Sequence, residues 1–426
     1  MKISGWGLFP QIESKKLLLK PKLSWKGNFI AKGNLRSYGD SALAENHIDM
    51  LDFNAFISFD QTKGTLIAQS GVLISDIIDI IVPKGWFLNV VPGTKYITLG
   101  GAIAADIHGK NHHKDGCFSN FVESFTLVLP DNQEVLCSTQ ENTELFHATC
   151  GGMGLTGIIK NVTIQLKKIN SININQITHK TENLLETFKI FEQESEKTYS
   201  VAWIDCLQKG KNIGRSLIMT GEFCNDEQMD VLSRKKINIP FNFPSFIINS
   251  WTLKVFNYLY YNKVRSKETS QKVYFDTFFF PLDSINNWNK IYGKNGFFQF
   301  QFILPKSKSY EGMLHILNSI SRENTGSFLA VLKLYGKSNN NLLSFPMEGY
   351  SLALDFKRSK KNRILVEALT DYVIVQGGRV YLAKDSILTR NQFDRSYSNA
   401  ELFRSIRSKY NFNKNLNSIQ SIRLGL

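Results

Sequence analysis

The chain has 426 residues, 42% of them hydrophobic, and a formal net charge of +14. That length exceeds what one hydrophobic core ordinarily serves, so two domains, each with ample interior, are expected. The charge favours an anionic partner (nucleic acid, phospholipid head groups or a phosphorylated substrate) without choosing among them, while five scattered cysteines without CxxC spacing argue against a disulfide framework and a zinc site.

A reducing cytoplasm is the expected setting for such thiols. The opening segment, MKISGWGLFPQIESKKLLLK, has no sustained apolar run, and no later window approaches the roughly 18 apolar residues of a spanning helix. Neither a cleavable export signal nor an integral span is therefore expected.

Taken in order, NFIAK before Gly33, HIDML at 47–51 and FISFD at 56–60 read as short strands. TLIAQSG at 65–71 is a strand running into VLISDIIDIIVPKG, whose apolar spacing fits a helix ended near Pro83 and Gly85. From Val91 to Val122, glycine recurs at 93, 100, 101, 109 and 116, and HGKNHH stands at 108–113. Glycine lets backbone lie against a flat ligand or a diphosphate, so this stretch suits a cofactor wall; glycine-rich turns of a β protein would look the same. His108 and His112 are four apart, but Gly109 interrupts a helix and no carboxylate is suitably spaced, so no metal is expected.

FTLVLPDNQEVLCS reads as a hairpin turning at Pro130, Asp131 and Asn132, TELFHATCGG as a helix stopped by Gly151 and Gly152, and LTGIIKNVTIQLKKI as a strand. His147 reads as a packed helix residue. From about Ile172 to Gly377 helical segments alternate with aromatic-rich strands. In GFFQFQFILP, Phe298, Phe300 and Phe302 share one face while Gln299 and Gln301 share the other; in FLAVLKLYG, Lys333 lies with Leu329, Val331 and Tyr335. By pattern alone the glutamines and the lysine fit a solvated sheet face as well as a ligand site. GGRVYLAKDS at 377–386 reads as a strand leaving a turn. No GxGxxG lies between a strand and a helix, no GxxxxGK[ST] loop is present, and no nucleic-acid-binding motif is recognisable.

Several stretches acting together are more specific. GNLRSYGDSAL at 33–43, PGTKYITLGGAIAADIHGKNHH at 92–113 and GGMGLTGII at 151–159 resemble the FAD domain of vanillyl-alcohol-oxidase type flavoenzymes. With FFPLD, GFFQFQFILP, LSFPMEGYSLALDF, GGRVYLAKDS and IRLGL, they resemble within that superfamily the decaprenylphosphoryl-β-D-ribose 2-oxidases, over nearly the whole chain. The resemblance implies an α+β, two-domain fold of the PCMH type. Residues 1–170 and 379–426 would form the FAD-binding domain, and 171–378 a substrate (cap) domain on an antiparallel sheet.

It further implies FAD as cofactor, held by Gly33, Arg36, Ser37, Tyr38, Gly39, Asp40, Gly93, Thr94, Gly101, Ala105, His108, Gly109, Asn111, Gly157, Ile159 and Lys384. Gln299, Gln301, Lys333, Ser351 and Lys110 would bind substrate, and Lys384, Tyr381 and His108 would serve catalysis. The implied reaction oxidises the 2-hydroxyl of a polyprenyl-phosphoryl ribose to the 2-keto sugar, with hydride passing to flavin N5. A separate NAD(P)H-dependent short-chain reductase would then give the arabinose epimer. A soluble sugar or aldonolactone oxidase is the alternative on the same fold, and a basic membrane-surface or nucleic-acid adaptor the alternative of another class.

The chain departs from the resembled pattern at four places: Leu35 for glycine, Lys32 for arginine, Ser351 for asparagine and Ala353 for cysteine. Asp40 stands where many relatives carry the histidine that links covalently to flavin, so non-covalent FAD is expected. Finally, Phe241 to Lys267 mixes aromatics with basic residues, preceded by SRKK at 233–236 and complemented by KRSKKNR at 357–363. This pattern suggests reversible docking at the cytoplasmic face of a membrane.

Overall fold

The computed structural model describes residues 1–18, 27–230, 236–244, 246–327, 329–410 and 415–426. Within them, the period-two alternation of one strand sets the plan of the larger sheet. In Phe297–Pro305, Phe298, Phe300 and Phe302 are buried in one core with Met313, Ile316 and Leu317 of helix Lys306–Arg322 and Val366, Leu369 and Val373 of helix Lys360–Val375. Burying such a ring contributes roughly 2–3 kcal/mol, so these helices are fixed to one face. Gln299 and Gln301 turn to the other, where a cavity lies.

The sheet has eight strands, in the order Glu268–Tyr274, Asn173–Thr181, Ser216–Phe223, Tyr199–Ile204, Ala330–Tyr335, Gly349–Lys357, Phe297–Pro305 and Arg379–Val380. All neighbours are antiparallel. Residues directly opposite share a face, and the register pairs Gln301 with Ala353, Ala353 with Val331, and Val331 with Trp203. A second row runs through Ser351 and Lys333. The cavity floor is thus written across four strands far apart in sequence.

A six-stranded antiparallel sheet is centred on Ile158–Lys168, which pairs with Val122–Val128, Thr65–Gln69 and Trp86–Leu88. Helix Ile74–Ile81 buries Ile74, Ile77, Ile78 and Ile81, and a 3-10 turn at Val82–Lys84 carries it to Gly85, which takes the left-handed conformation at φ 79°. A small parallel sheet joins Lys15–Leu17, Asn46–Asp49 and Phe29–Lys32. The end of the chain returns to it: Phe29 donates its amide to the Asn415 carbonyl and accepts from the Asn417 amide, each over 2.9 Å. The hydrophobic core of the eight-stranded sheet includes Phe29, Ile30 and Ile48, and that of the six-stranded sheet includes Phe275, Phe278 and Phe279.

The α+β class and the antiparallel sheet agree with the sequence reading. The strand expected through GGRVYLAKDS is cut to Arg379–Val380. Tyr381 still donates its amide to the Gln301 carbonyl, over 2.9 Å, but the Lys384 and Asp385 amides fold back onto the Tyr381 carbonyl. Lys384 therefore stands on a tight turn. Among the described residues no helix is long and apolar enough to cross a membrane.

Candidate active site

A cavity of about 1000 Å³ lies between the Gln301 and Ser351 rows of the eight-stranded sheet and the glycine-rich segment. Such a volume is at the upper end for a small-molecule site. Gly33 belongs to its wall for a steric reason: a Cβ there would stand 2.3 Å from Thr98 Oγ1. That hydroxyl caps helix Leu99–Ala104 by accepting from the Gly101 amide at 3.2 Å. Two residues on, Leu35 is held at φ 49°, a left-handed conformation that favours glycine. The departure from the resembled pattern therefore falls at a position where backbone geometry asks for the residue it lacks.

Arg36 lies 4.1 Å from the Trp6 ring centroid and 5.4 Å from that of Tyr96, and its buried Nε has no hydrogen-bond partner among the described residues. Burial lowers its pKa, a cost that an anion would remove. The loop does not offer every amide: Tyr38 donates its own to the Ala383 carbonyl at 3.0 Å.

The opposite wall is pinned by Asp106. Its carboxylate accepts from Asn339 at 2.7 Å, Asn341 at 2.8 Å and Ser344 at 2.6 Å, and its backbone turns at φ 39°. The asparagine run at 339–341 is thus a clamp on the segment that carries His108. His108 packs among Tyr335, Phe345 and Tyr381, with ring centroids 5.2, 5.4 and 4.9 Å away. Gln301 Nε2 is 3.1 Å from His108 Nε2, and Tyr381 donates its hydroxyl to the Ala105 carbonyl at 2.9 Å. Burial pushes the Tyr381 pKa well up. Tyr381 therefore orients this wall and is a poor proton acceptor.

Arg36, Lys110, Lys263, Lys333 and Lys384 line the cavity, against Asp283 as its acidic lining residue among those described. Lys384 holds its ammonium 3.7 Å from the Tyr38 ring centroid. Burial lowers its pKa to about 7, opposed by the charge of Asp355 and reinforced by Lys333. Asp355 is fully buried behind Gln299, which donates to it at 2.6 Å, and burial raises its pKa to about 7. Lys110 and Lys333 are pulled down to about 7 and about 8, both by burial, and Lys333 lowers Lys110 further. Lys110 donates to the Phe278 carbonyl, with its ammonium 4.5 Å from the Phe278 ring centroid. A buried cation such as Lys110, met by a carbonyl and aromatic rings alone, suits a ligand that brings negative charge.

The structure brings together on this wall Gly33, Arg36, Ser37, Tyr38, Gly93, Thr94, Gly101, Ala105, His108, Lys110, Gly157, Ile159, Gln299, Gln301, Lys333, Ser351, Tyr381 and Lys384. It leaves four expected residues off it. Asp40 is held by Arg423 through hydrogen bonds of 2.7 and 3.1 Å, and a Cβ on Gly39 would meet the Asp385 carbonyl oxygen at 1.8 Å. Gly109 packs on Val91 and Asn111, while Asn111 donates to the Asn89 carbonyl at 2.7 Å and to Asp115 at 2.5 Å. These four shape the wall from behind. Sequence reading missed Asp355, although period two from Ser351 places it on the cavity face. It also missed the Asp106 clamp, which has no local signal.

The residues fit FAD: a cationic wall with an unpartnered Arg36 Nε for the diphosphate, a close-packed glycine segment for a flat ring, and Lys384 beyond it. Residues 26–138 match the family described as FAD binding domain. Decaprenylphosphoryl-beta-D-ribose oxidase of Mycolicibacterium smegmatis is 36% identical over 384 residues, which cover 86% of this chain and 83% of that protein. An uncharacterized protein in the mprA 5′ region of Streptomyces coelicolor is 24% identical over 83% of this chain and 100% of its own. L-gulonolactone oxidase of Scyliorhinus torazame is 26% identical over 38% of this chain and 36% of its own.

Proposed function

Because the chain belongs to the decaprenylphosphoryl-β-D-ribose oxidase family and is an FAD-dependent oxidoreductase, we propose that it oxidises the 2-hydroxyl of a polyprenyl-phosphoryl ribose to the 2-keto sugar. The observation that carries this reading is the pair of buried ammonium groups, Lys110 and Lys333, with no carboxylate partner among the described residues, beside the amides of Gln299 and Gln301. A phosphoryl group would satisfy both cations, and the amides would hold sugar hydroxyls. FAD, when bound, supplies the hydride acceptor.

The chain's own residues do the rest. Residues 1–170 with 379–426 form the cofactor unit, and 171–378 carry the substrate face. Arg36 and the turn from Gly33 to Tyr38 would hold the diphosphate of the cofactor. Lys384 would offer its ammonium, held beside the Tyr38 ring, to the negative charge that a reduced flavin carries, and a preorganised charge is worth most in a site closed to water. Gln299 and Gln301 orient the sugar, and the Phe345, Tyr335 and His108 rings exclude water beside them. The keto sugar would pass to a separate NAD(P)H-dependent short-chain reductase.

The enzyme would meet its substrate at the cytoplasmic face of a membrane without spanning it. Helix Ser250–Asn262 packs Leu253, Asn257 and Tyr261 inward, yet Trp251, Tyr258 and Leu259 are 70, 61 and 63% exposed. Arg234 and Lys235 of the basic run lie outside the described residues, and Lys236 is engaged with the Tyr96 hydroxyl. In the second run, Lys361 pairs with Glu323 at 3.1 Å and Arg363 with Glu367 at 2.7 Å. The exposed helix face is therefore the better membrane contact. Binding to anionic vesicles should fall when Trp251 and Leu259 are changed to serine; equal sedimentation of that variant would remove this docking mode.

The substrate assignment is tested by anaerobic bleaching of the bound flavin. A prenyl-phosphoryl ribose should bleach it, whereas free aldoses and aldonolactones should not. Faster bleaching by a lactone would favour a soluble sugar oxidase instead.

A further inference from the structure

The cavity does not end at the lysines. Its floor continues across the sheet from the strand of Lys333 to Val201 and Trp203, then Met219, then Gln176, and last Val273 and the exposed Gln271 of the edge strand. Register puts Trp203, Val201 and Met219 in the rows already described: Val331 stands opposite Trp203, and Val201 opposite Met219. At about 4.8 Å per strand, the four strand spacings from Lys333 to the edge span about 19 Å. Over this distance the lining changes character. Its middle part is aliphatic and aromatic, at Val201, Trp203, Met219, Phe256 and Tyr260, and polar side chains return only toward the edge, at Gln176, Gln271 and Lys263.

The arm has a roof as well as a floor. Tyr260, on helix Ser250–Asn262, lies 4.8 Å from the Trp203 ring centroid, and Phe256 stacks on Tyr260 at 5.7 Å. Lys263 closes the row, its ammonium 3.7 Å from the Tyr260 ring centroid. Phe256 and Tyr260 line the cavity, while Trp251, Tyr258 and Leu259 of the same helix face outward.

We propose that this arm, floored by Val201, Trp203 and Met219 and roofed by Phe256 and Tyr260, binds the proximal isoprene units of the substrate's hydrocarbon chain. The proposal rests on the prenyl-phosphoryl reading above and adds the place where the chain goes. The occupant follows from continuity: a ligand anchored by phosphate at Lys110 and Lys333 has an apolar path open to it in one direction. An apolar chain there would remove wall and ligand from water together. The chain leaves at the edge strand, below the helix whose outer face meets the bilayer.

The test uses holoenzyme and prenyl monophosphates of increasing length, from dimethylallyl to geranylgeranyl, in calorimetric titrations. The dissociation constant should fall by about tenfold for each isoprene unit that enters the arm. Met219→Glu, which puts a charge in the arm, and Val201→Phe, which fills it, should each flatten that gradient while FAD content and circular dichroism show the variants folded. Affinity independent of chain length in the unaltered enzyme would overturn the proposal. So would an unchanged gradient in both folded variants. A steep gradient in an enzyme whose flavin no prenyl-phosphoryl pentose reduces would uphold the arm and defeat the sugar assignment alone.

Discussion

Gln301 donates its side-chain amide to Nε2 of His108 over 3.1 Å, so the imidazole proton sits on Nδ1, a buried atom with no partner among the described residues. Burial drives the His108 pKa well down, and Lys333, His112 and Lys384 push the same way. The ring is therefore neutral throughout the range in which an ordinary histidine titrates. Nitrogen chemical shifts of the labelled holoenzyme should show a protonated Nδ1 that does not move from mildly acidic to mildly alkaline solution. An imidazolium signal would contradict the assignment.

Arg423 ties distant segments together by bridging Asp40 and Asp385, with its Nη2 at 2.7 and 2.9 Å. Both carboxylates are buried. Arg423→Ala strands two acids without a cation and should cost roughly 3–5 kcal/mol near neutral pH. Burial raises the Asp40 pKa even with Arg423 present. Without the arginine, protonation relieves the strain as pH falls through that raised value, so the loss should shrink in acid. Urea denaturation at the two pH values measures it; an equal loss at both would show that Arg423 acts by packing alone.

The same bridge bears on the flavin. By the resemblance Asp40 stands where many relatives carry a linking histidine, and the structure turns it away from the cavity into Arg423. Acid precipitation should therefore release FAD into the supernatant. Yellow colour kept in the pellet would mean a covalent link through another residue, with His108, His112 and Cys117 the groups to examine.

Lys384 and Asp355 carry the electrostatic argument. Lys384→Ala should keep FAD bound and slow flavin reduction about a hundredfold, the usual effect of losing one preorganised charge. The ammonium is the active form, so the rate should fall as pH rises through the lysine's lowered pKa of about 7. Asp355 supports that ammonium, while Lys333 opposes it and the Tyr38 ring favours it. Asp355→Asn should therefore move the alkaline limb to lower pH. A limb that stays in place, or moves to higher pH, would remove Asp355 from this role.

Much of this site was legible in the sequence because local rules govern it. Glycine spacing after Val91 suited a cofactor wall as well as it suited β turns, and alternation in GFFQFQFILP separated core phenylalanines from the glutamines of the other face. Pattern could not say whether those glutamines met solvent or ligand, since strand alternation is blind to what covers a face; resemblance supplied that. What stayed hidden depends on contacts between distant segments. Arg423 reaches Asp40 across 383 residues, and Asn341 reaches Asp106 across 235. Gly39, Asp40, Gly109 and Asn111 lay within the right motifs, but their side chains or missing Cβ atoms serve the packing behind the wall. Residues adjacent in a motif need not share a surface.

The central claim is that this cavity oxidises carbon 2 of a phosphorylated pentose. It is tested most directly by anaerobic rapid mixing of the enzyme with prenyl-phosphoryl ribose deuterated at single positions. Deuterium at carbon 2 should slow flavin bleaching, and deuterium at carbon 1 or 3 should leave it unchanged. Absence of bleaching, or slowing by deuterium at another carbon, would contradict the account.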